Sequence, residues 1–336
     1  MLTPEFEWAG RNDPEDGSNA KRWHHIVQHH ALNTQAVDVV AGMIGFSCDL
    51  GVERNQGRVG ARSGPDAIRN ALANLAWHGK DGHLIDFGNV GIANDGDDPL
   101  ESAQEELADR VAQSLIFTHH MLVIGGGHET AVGSFKGLHK FLEDQPHQRI
   151  AIINLDAHFD LRKPGKSGIS SGTPFFQIHQ TLEARGHALN YLCLGVAETS
   201  NTKALFDRSK DWGVEYLLDQ NVRSHLMEDV RRKIDAILKD CDVLYLSIDL
   251  DVLPHWQMPA VSSPAPLGVE LAVIEEIIDH LANKQAAGDI SWPLSDIVEF
   301  NPNFDIDGHA AKVAARLCDK VIRCMCNDSP DFAGRF

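Results

Sequence analysis

The chain has 336 residues, of which 43% are hydrophobic, and its formal net charge is −18. A chain of this length can form one large domain or two small ones. Its negative charge repels phosphate backbones, so we expect no nucleic-acid partner. No apolar stretch approaches the roughly 18 residues of a membrane span, and the acidic N-terminus lacks the features of a secretory signal. We therefore expect a cytoplasmic protein that does not enter membranes.

Apolar runs alternate with helix-like segments along the chain. Strands are predicted at 37–46, 83–87, 120–125, 149–155, 190–196, 214–218, 242–249 and 293–300, and helices at 64–77, 100–118, 128–142, 173–185, 225–239, 269–284 and 307–320. The predicted strands are short and apolar on both faces, which is typical of a parallel sheet covered by helices. The alternation predicts an α/β fold with a mostly parallel, doubly wound sheet of about eight strands. We expect one domain over residues 1–336, with residues 1–30 as an N-terminal arm.

The cysteines are scattered rather than paired. This distribution favours small buried side chains in the reducing cytoplasm over a disulfide framework or a cysteine metal site. They are Cys48, Cys193, Cys241, Cys318, Cys324 and Cys326.

Three acid and imidazole side chains follow the predicted strand 149–155. Asp156, His158 and Asp160 alternate along the chain, so on an extended strand they would share one face. At roughly 3.3 Å per residue, positions 156 and 160 would then lie about 13 Å apart, too far for one metal ion. Either the chain curls after His158 or two metal ions share these ligands.

Two further clusters follow other apolar runs. Asp249 is the last residue of the run 242–249, and Asp251 lies two residues later. His128 follows three glycines at the end of the run 120–125. Ligands of open α/β sheets bind beyond the carboxyl ends of the strands, so the fold could bring all three clusters to one rim. A lone Asp at a strand end is usually a turn or cap residue, but three such clusters together indicate a site.

The clusters together supply four Asp and two His. A structural zinc site prefers Cys and His, whereas carboxylate-rich ligation suits Mn²⁺, with Fe²⁺, Co²⁺ and Zn²⁺ as alternatives. Four carboxylates balance the charge of two divalent ions. Two metals about 3.5–4 Å apart can hold a bridging water and make it hydroxide at neutral pH. The alternative from another class is a non-catalytic metal-binding protein with a degenerate site, which would be expected to have lost a ligand.

Three motifs resemble those of the ureohydrolase superfamily of arginases and agmatinases. They read GGGHE at 125–129, DAHFD at 156–160 and SIDLD at 247–251, within a similarity that runs from about residue 36 to 325. This resemblance implies a three-layer α/β/α fold, a hydrolase with two Mn²⁺ per subunit, and a homo-oligomer.

The resemblance also implies which residues bind each ion. One ion would be bound by His128, Asp156, Asp160 and Asp249, and the other by Asp156, His158, Asp249 and Asp251. Asp156 and Asp249 would therefore bridge the two ions.

Within this superfamily, several stretches are similar to the formimidoylglutamases of histidine degradation. They are 8–25, 54–72, 170–175 and 298–317, together with Glu129 and Arg162. The similarity implies hydrolysis of N-formimidoyl-L-glutamate to L-glutamate and formamide. The alternative is a guanidino hydrolase of the same superfamily, acting on guanidinobutyrate, agmatine or arginine. Arg162 discriminates between them, because agmatine has no carboxylate for it to bind.

The implied substrate has two carboxylates and a planar cationic amidine. Arginines suit bidentate carboxylate binding, although each could instead form a surface ion pair. In the resembling enzymes the residue that matches Glu299 holds the planar cation. Arginases often carry a proton-shuttling His where this chain has Phe175, so Asp160 becomes the candidate proton carrier. The candidate carboxylate-binding residues are Arg162, Ser171, Arg58 and Arg62.

Overall fold

A computed structural model of the chain describes residues 6–29, 39–79, 83–92, 99–145 and 147–326. The strands within these ranges are β1 (Val27–His29), β2 (Val39–Ser47), β3 (His83–Gly91), β4 (His120–Ile124), β5 (Ile150–Leu155), β6 (Asn190–Val196), β7 (Glu215–Leu218), β8 (Val243–Asp249) and β9 (Ser291–Val298). The α-helices are α1 (Trp23–Ile26), α2 (Leu50–Arg54), α3 (Gly64–Ala73), α4 (Pro99–Phe117), α5 (Thr130–Phe141), α6 (Pro174–Glu183), α7 (Lys203–Asp211), α8 (Met227–Leu238), α9 (Leu271–Ala286) and α10 (His309–Met325).

The strands form one parallel sheet in the order β1-β3-β2-β4-β9-β8-β5-β6-β7. The predicted parallel, doubly wound α/β fold is confirmed, with nine strands among the described residues rather than about eight. The strand that we did not predict is β1, which adds an edge strand beside β3. Residues 37 and 38 of the first predicted strand lie outside the described residues.

Helices cover both faces of the sheet, because the central strands are apolar on both sides. All seven residues of β8 are buried. Side chains of α3, α8, α9 and α10 pack on one face, and side chains of α4, α5, α6 and α7 pack on the other. This three-layer arrangement leaves the two ends of the parallel strands as the places where polar side chains can gather.

The N-terminal segment lies against the domain from residue 8 onward. Trp8 donates a 2.9 Å hydrogen bond from Nε1 to Asp86. Trp23 is fully buried, donates from Nε1 to Oδ1 of Asp319 at 2.9 Å, and packs edge-to-face on Trp77. The predicted arm of residues 1–30 therefore carries core contacts in its described part, and residues 1–5 and 30 lie outside the described residues.

Other elements differ from prediction at their ends. Helix α3 stops at Ala73 instead of residue 77, and α10 continues to Met325 instead of residue 320. Helices α1, α2 and α7 were not predicted. None of the helices in the described ranges has the length and apolarity that crossing a bilayer requires.

Candidate metal centre

Four neighbouring strands in the middle of the sheet supply the site. They are β4, β9, β8 and β5, in that order across the sheet. Because all four run parallel, their carboxyl ends meet at one rim. The residues that follow these ends are His128 after β4, Glu299 after β9, Asp249 and Asp251 at β8, and Asp156, His158 and Asp160 after β5. The three sequence clusters are therefore brought together.

The glycines before His128 allow the loop after β4 to lie against neighbouring backbone. A Cβ atom at Gly126 would lie 1.7 Å from the carbonyl oxygen of Cys48, so no larger residue fits there. The N–H of Gly127 donates to that same carbonyl at 3.0 Å, and the N–H of Glu299 donates to the Gly126 carbonyl at 2.7 Å. These hydrogen bonds fix the backbone positions of both His128 and Glu299.

The first ligand group is centred on the His128 ring. Its Nδ1 atom lies 3.2 Å from Oδ2 of Asp156, 3.0 Å from Oδ2 of Asp160 and 3.1 Å from Oδ2 of Asp249. All four side chains are buried, and one ligand atom from each lies within 4.8 Å of the others. Nδ1 makes no hydrogen bond with the described residues. A buried ring nitrogen that faces three carboxylates suits a shared cation, so these residues fit a metal ion.

The second ligand group consists of Asp156, His158 and Asp251. Nδ1 of His158 lies 3.0 Å from Oδ2 of Asp251 and 3.5 Å from Oδ1 of Asp156. Asp156 thus serves both groups, with Oδ2 toward His128 and Oδ1 toward His158. Asp249 lies within the first group alone by these distances, and its Oδ1 accepts the N–H of Asp251 at 2.8 Å. Bridging of two ions by Asp249 stays a prediction.

The chain curls between Asp156 and Asp160. Strand β5 ends at Leu155, and the N–H of His158 donates back to Oδ1 of Asp156 at 2.6 Å. Asp160 then adopts a left-handed conformation with φ 49°. Of the two alternatives, curling of the chain is observed, and it begins before His158 because strand geometry ends at Leu155. Curling and sharing of ligands between two groups both occur.

Burial and mutual repulsion act on the carboxyl groups of the site. Burial raises the pKa of Asp249 well above its usual range, and the neighbouring charges of Asp251 and Asp156 raise it further. Burial likewise raises the pKa of Asp160 and Asp251. The raised pKa values of these three carboxyl groups indicate a cluster with excess negative charge in a low-dielectric environment. Such a cluster favours the binding of divalent cations.

Glu299 is a buried carboxylate beside the ligand groups. Its Oε1 accepts the N–H of His128 at 2.9 Å, whereas its Oε2 makes no hydrogen bond with the described residues. Its φ of 71° is left-handed, a conformation that costs a residue with a side chain roughly 1–3 kcal/mol. Burial raises the pKa of Glu299, and the nearby Glu129 carboxyl raises it further.

Glu129 is a second buried carboxyl. From the sequence it was named only for the resemblance, as the last residue of the GGGHE motif, and was given no role. Its Oε1 accepts the N–H of Gly51 at 2.9 Å and the thiol of Cys48. Burial raises the pKa of Glu129 to about 7. The side chain therefore ties the loop after β2 to the loop that carries His128.

The predicted carboxylate-binding residues differ in their surroundings. Arg162 is exposed, and its side chain crosses Gly172, where an added Cβ would lie 2.9 Å from the Arg162 Cδ. Ser171 is buried in the loop before α6. The Arg62 side chain is exposed. The Arg58 guanidinium donates to the carbonyls of residues 259, 261 and 262, so in this structure it holds that loop. Contacts of these four side chains with substrate stay predictions.

Phe175 closes the first ligand group on one side. Its ring is fully buried, meets the His128 ring edge-to-face with centroids 5.4 Å apart, and stacks on Tyr191. This side chain has no group that could carry a proton, and the role of Asp160 as proton carrier stays a prediction.

Sequence reasoning missed the polar residues that lie behind the ligands. Asn154 donates from Nδ2 to Oδ2 of Asp156 at 2.9 Å. Ser247 lies 3.0 Å from Nε2 of His128 and donates to Asp296. The sequence did offer a signal for both residues: each is a polar residue inside an otherwise apolar strand, which is unusual for a fully buried position.

Comparison with known proteins agrees with this geometry. Residues 39–324 match the arginase family. A formimidoylglutamase of Chromobacterium violaceum is 49% identical over 94% of this chain and 97% of its own length, and one of Aeromonas salmonicida is 48% identical over 94% and 96%.

Solved structures are similar over most of their length as well. The formiminoglutamase of Trypanosoma cruzi with Mn²⁺ has a TM-score of 0.75 at 25% identity, covering 87% of this chain and 95% of that one. The arginase of Bacillus subtilis has a TM-score of 0.69 at 25% identity, covering 84% and 98%. The resemblance that three short motifs indicated is confirmed, and the chain belongs to the arginase family.

Proposed function

We propose that this protein hydrolyses N-formimidoyl-L-glutamate to L-glutamate and formamide. The observation that carries the proposal is the buried Glu299 carboxylate, whose Oε2 has no partner among the described residues and which borders the two ligand groups. An unpaired buried carboxylate oxygen is costly unless it binds a cationic group, and the amidinium of this substrate is planar and cationic. The name of the relatives that are 41–49% identical supports the same substrate.

The two ligand groups suit two Mn²⁺ ions, one beside His128 and the other beside His158. Asp156 contributes to both groups, and the ligands are carboxylates and imidazoles without thiolate, which favours manganese over structural zinc. When bound, such a pair of ions supplies a water that is nucleophilic at neutral pH and stabilises negative charge on the reacting centre.

Protein side chains hold the substrate and move the proton. Glu299 accepts hydrogen bonds from the amidinium and directs its carbon toward the ligand groups. Phe175 and the buried walls of the site exclude bulk water from the His128 side. The attacking water adds its oxygen to the amidine carbon and gives a proton to Asp160, which lies at the end of the curl after β5 and passes that proton to the departing glutamate nitrogen. Cleavage of that carbon–nitrogen bond yields the free amine of glutamate, and the amidine carbon leaves as formamide.

The carboxylates of the substrate require basic or hydroxyl partners. Arg162 and Ser171 lie in the segment that links the β5 ligands to α6, and Arg62 lies beside the loop after β2. The exposed guanidinium of Arg162 is free to turn toward a substrate carboxylate, and we assign it the main part in recognition. Arg58 contributes indirectly by holding the loop at 259–262.

Product analysis with four substrates tests the proposal. The manganese-loaded protein is offered N-formimidoyl-L-glutamate, L-arginine, agmatine and 4-guanidinobutyrate, and formamide, glutamate and urea are quantified. We expect formamide and glutamate in equal amounts, with kcat/KM at least about tenfold above that for any guanidino compound, since one unmatched charged contact costs more than 1.4 kcal/mol. Preferential release of urea would instead assign a guanidino hydrolase.

We also propose that the protein works in the cytoplasm as a homo-oligomer. Four of its buried cysteines, at positions 48, 193, 241 and 318, are unpaired thiols, as is usual in reducing compartments. Exposed large apolar side chains, among them Trp256 and Ile306, suit burial between subunits. Light scattering coupled to size-exclusion chromatography measures the mass, and a monomer at micromolar concentration would contradict this assembly.

A further inference from the structure

One side-chain amide holds the chain on both sides of His158. Asn201 lies between β6 and α7 and is 7% exposed. Its Nδ2 donates to the Ala157 carbonyl at 2.9 Å, and its Oδ1 accepts the N–H of Phe159 at 3.0 Å. These two main-chain groups belong to the peptide units that precede and follow His158. Together they confine both backbone dihedrals of His158, and these dihedrals determine where its imidazole points.

The amide of Asn201 takes the place of a neighbouring strand. In a parallel ladder, a residue donates to the carbonyl before its partner and accepts the N–H after it. Strand β6 pairs with β5 as far as Leu155, opposite Leu194, and Gly195 then has φ 106°, outside strand geometry. The main chain of Phe159 is buried, and a buried N–H needs an acceptor. Asn201 supplies this acceptor where the ladder has ended.

The amide is itself held in one orientation. Its second Nδ2 hydrogen goes to the Ala197 carbonyl at 2.9 Å, and the Ala197 N–H donates to the Ala157 carbonyl at 2.9 Å. Two carbonyl oxygens therefore lie beside Nδ2, and one N–H lies beside Oδ1. A flipped amide would set oxygen against oxygen, so the side chain cannot turn without losing all three bonds.

The ligands on either side of His158 have anchors of their own. The N–H of Asp156 donates to the Leu194 carbonyl at 3.0 Å, and the carbonyl of Asp160 accepts the N–H of Phe175 at 3.2 Å. Loss of the amide would therefore release the middle of the curl while its two ends stay attached. The ligand in the middle is His158, which belongs to the second group alone.

We propose that Asn201 is a positioning residue that fixes the backbone of His158 and thereby sets the affinity of the metal ion in the second ligand group. The inference rests on the metal centre of the proposed function and not on its substrate. A purely structural role, in which the amide only joins the loops after β5 and β6, would lower stability without a preference for either ion. Measuring the two ions one at a time separates these roles.

The test measures manganese binding in two backgrounds that each keep one ligand group. Asp160→Ala removes a ligand of the first group, and Asp251→Ala removes a ligand of the second. Asn201→Ala is introduced into both backgrounds and into the wild type. Free Mn²⁺ is followed by electron paramagnetic resonance during titration, and unfolding temperatures of the metal-free proteins report the stability of the fold.

Asn301→Ala is the matched control. Asn301 is fully buried, donates from Nδ2 to the carbonyls of Arg58 and Val59, and accepts the N–H of Asn303. It thus makes the same three kinds of bond with main-chain groups, but none of these bonds reaches the ligand segment 156–160. Its substitution should lower the unfolding temperature and leave both ions at their wild-type affinity.

We expect Asn201→Ala to weaken the ion that remains in Asp160→Ala about 10- to 100-fold, as is usual when a residue behind a ligand is removed. The ion that remains in Asp251→Ala should keep its affinity. Unchanged affinity in the Asp160→Ala background, or equal weakening in both backgrounds, would overturn the proposal. A wild type that binds no manganese would contradict the metal centre itself, and the inference with it.

Asn201→Asp decides the question if Asn201→Ala does not fold. This variant keeps the shape of the side chain and the acceptor for Phe159, but its carboxylate has no N–H to offer the carbonyls of Ala157 and Ala197. Oxygen then faces oxygen, so the clamp on His158 should open and the second ion should weaken. Wild-type affinity for both ions in Asn201→Asp would overturn the proposal.

Discussion

The main-chain N–H of His128 donates a 2.9 Å hydrogen bond to Oε1 of Glu299. One oxygen of this carboxylate therefore holds the loop that presents a candidate metal ligand, and in the proposed function the other binds the substrate cation. The proposal thus connects substrate binding and metal binding through a single side chain. A substitution at Glu299 has to preserve the first role if it is to test the second.

Glu299→Gln meets this requirement, because its amide oxygen can still accept the N–H of His128. We expect kcat/KM for the amidine substrate to fall about 10- to 100-fold, since a charge-assisted contact is lost, while manganese content stays at the wild-type value. Steady-state kinetics and metal analysis measure the two effects. The control is Glu129→Gln, a neighbouring buried carboxyl whose Oε1 binds Gly51, and it should lose much less. Equal losses in both variants would argue against cation binding by Glu299.

Alanine substitutions should distinguish the two ligand groups. Asp156 lies in both groups, whereas Asp160 lies in the first alone and Asp251 in the second alone. We therefore expect Asp156→Ala to lose both ions, and Asp160→Ala and Asp251→Ala each to retain one ion per chain. Metal analysis after dialysis gives the stoichiometry. An Asp156→Ala protein with one tightly bound ion and good activity would contradict the shared role of this carboxylate.

Arg162→Met should separate recognition of the substrate carboxylate from metal binding. The predicted loss is at least about tenfold in kcat/KM for N-formimidoyl-L-glutamate, since 1.4 kcal/mol corresponds to one decade. Metal content should not change, because Arg162 belongs to neither ligand group. The loss should be smaller for an analogue without the paired carboxylate. Lys163→Met, which removes the adjacent exposed cation, is the control. Equal penalties for substrate and analogue would contradict direct recognition.

His120 should make stability depend on pH. Burial lowers the pKa of this side chain, which lies at the start of β4 and bonds to the Trp292 carbonyl at 3.0 Å. The unfolded chain then binds more protons than the folded one below about pH 6.5, so stability is retained above that pH and lost as the pH falls toward the lowered pKa. The change cannot exceed about 1.4 kcal/mol per pH unit for one proton.

Denaturant unfolding from pH 7.5 to 5 of wild type, His120→Gln and His119→Gln measures this contribution. The stability difference between wild type and His120→Gln should shrink as the pH falls. His119 is exposed, and its charge is a smaller cause of the lowered His120 pKa than burial, so its substitution should retain most of the wild-type pH dependence. A gap between wild type and His120→Gln that is constant over this range would show that the folded protein accepts the proton on His120 without cost.

The central strands could be predicted because a buried parallel strand is apolar on both faces. The prediction of 242–249 differs by one residue from the observed Val243–Asp249. Strand β1 could not be predicted, because it has three residues and pairs with β3 only through tertiary packing. Helix α7 has only Leu205 and Ser209 buried, so it lacks the apolar stripe that marks an amphipathic helix.

The clustering of the candidate metal ligands was predictable because they occur at the ends of apolar runs, where parallel strands bring them to one rim. Their path was not predictable, because the left-handed conformation of Asp160 is set by the surrounding contacts and not by its own preference. The hydrogen bond between Ser247 and Asp296 joins residues 49 positions apart. It depends on the register of two strands, which spacing along the chain does not reveal.

The burial of Trp23 against the last helix has a consequence for synthesis of the protein. Its indole nitrogen donates to Asp319, 296 residues later, and its ring belongs to the core on that face. A growing chain leaves the ribosome N-terminus first, so the side of the indole that faces α10 stays uncovered until α10 has been translated, whereas Trp77 can pack on the ring earlier. The domain therefore cannot be completed before α10 has left the ribosome, and until then the exposed part of the indole is a surface to which folding chaperones can bind.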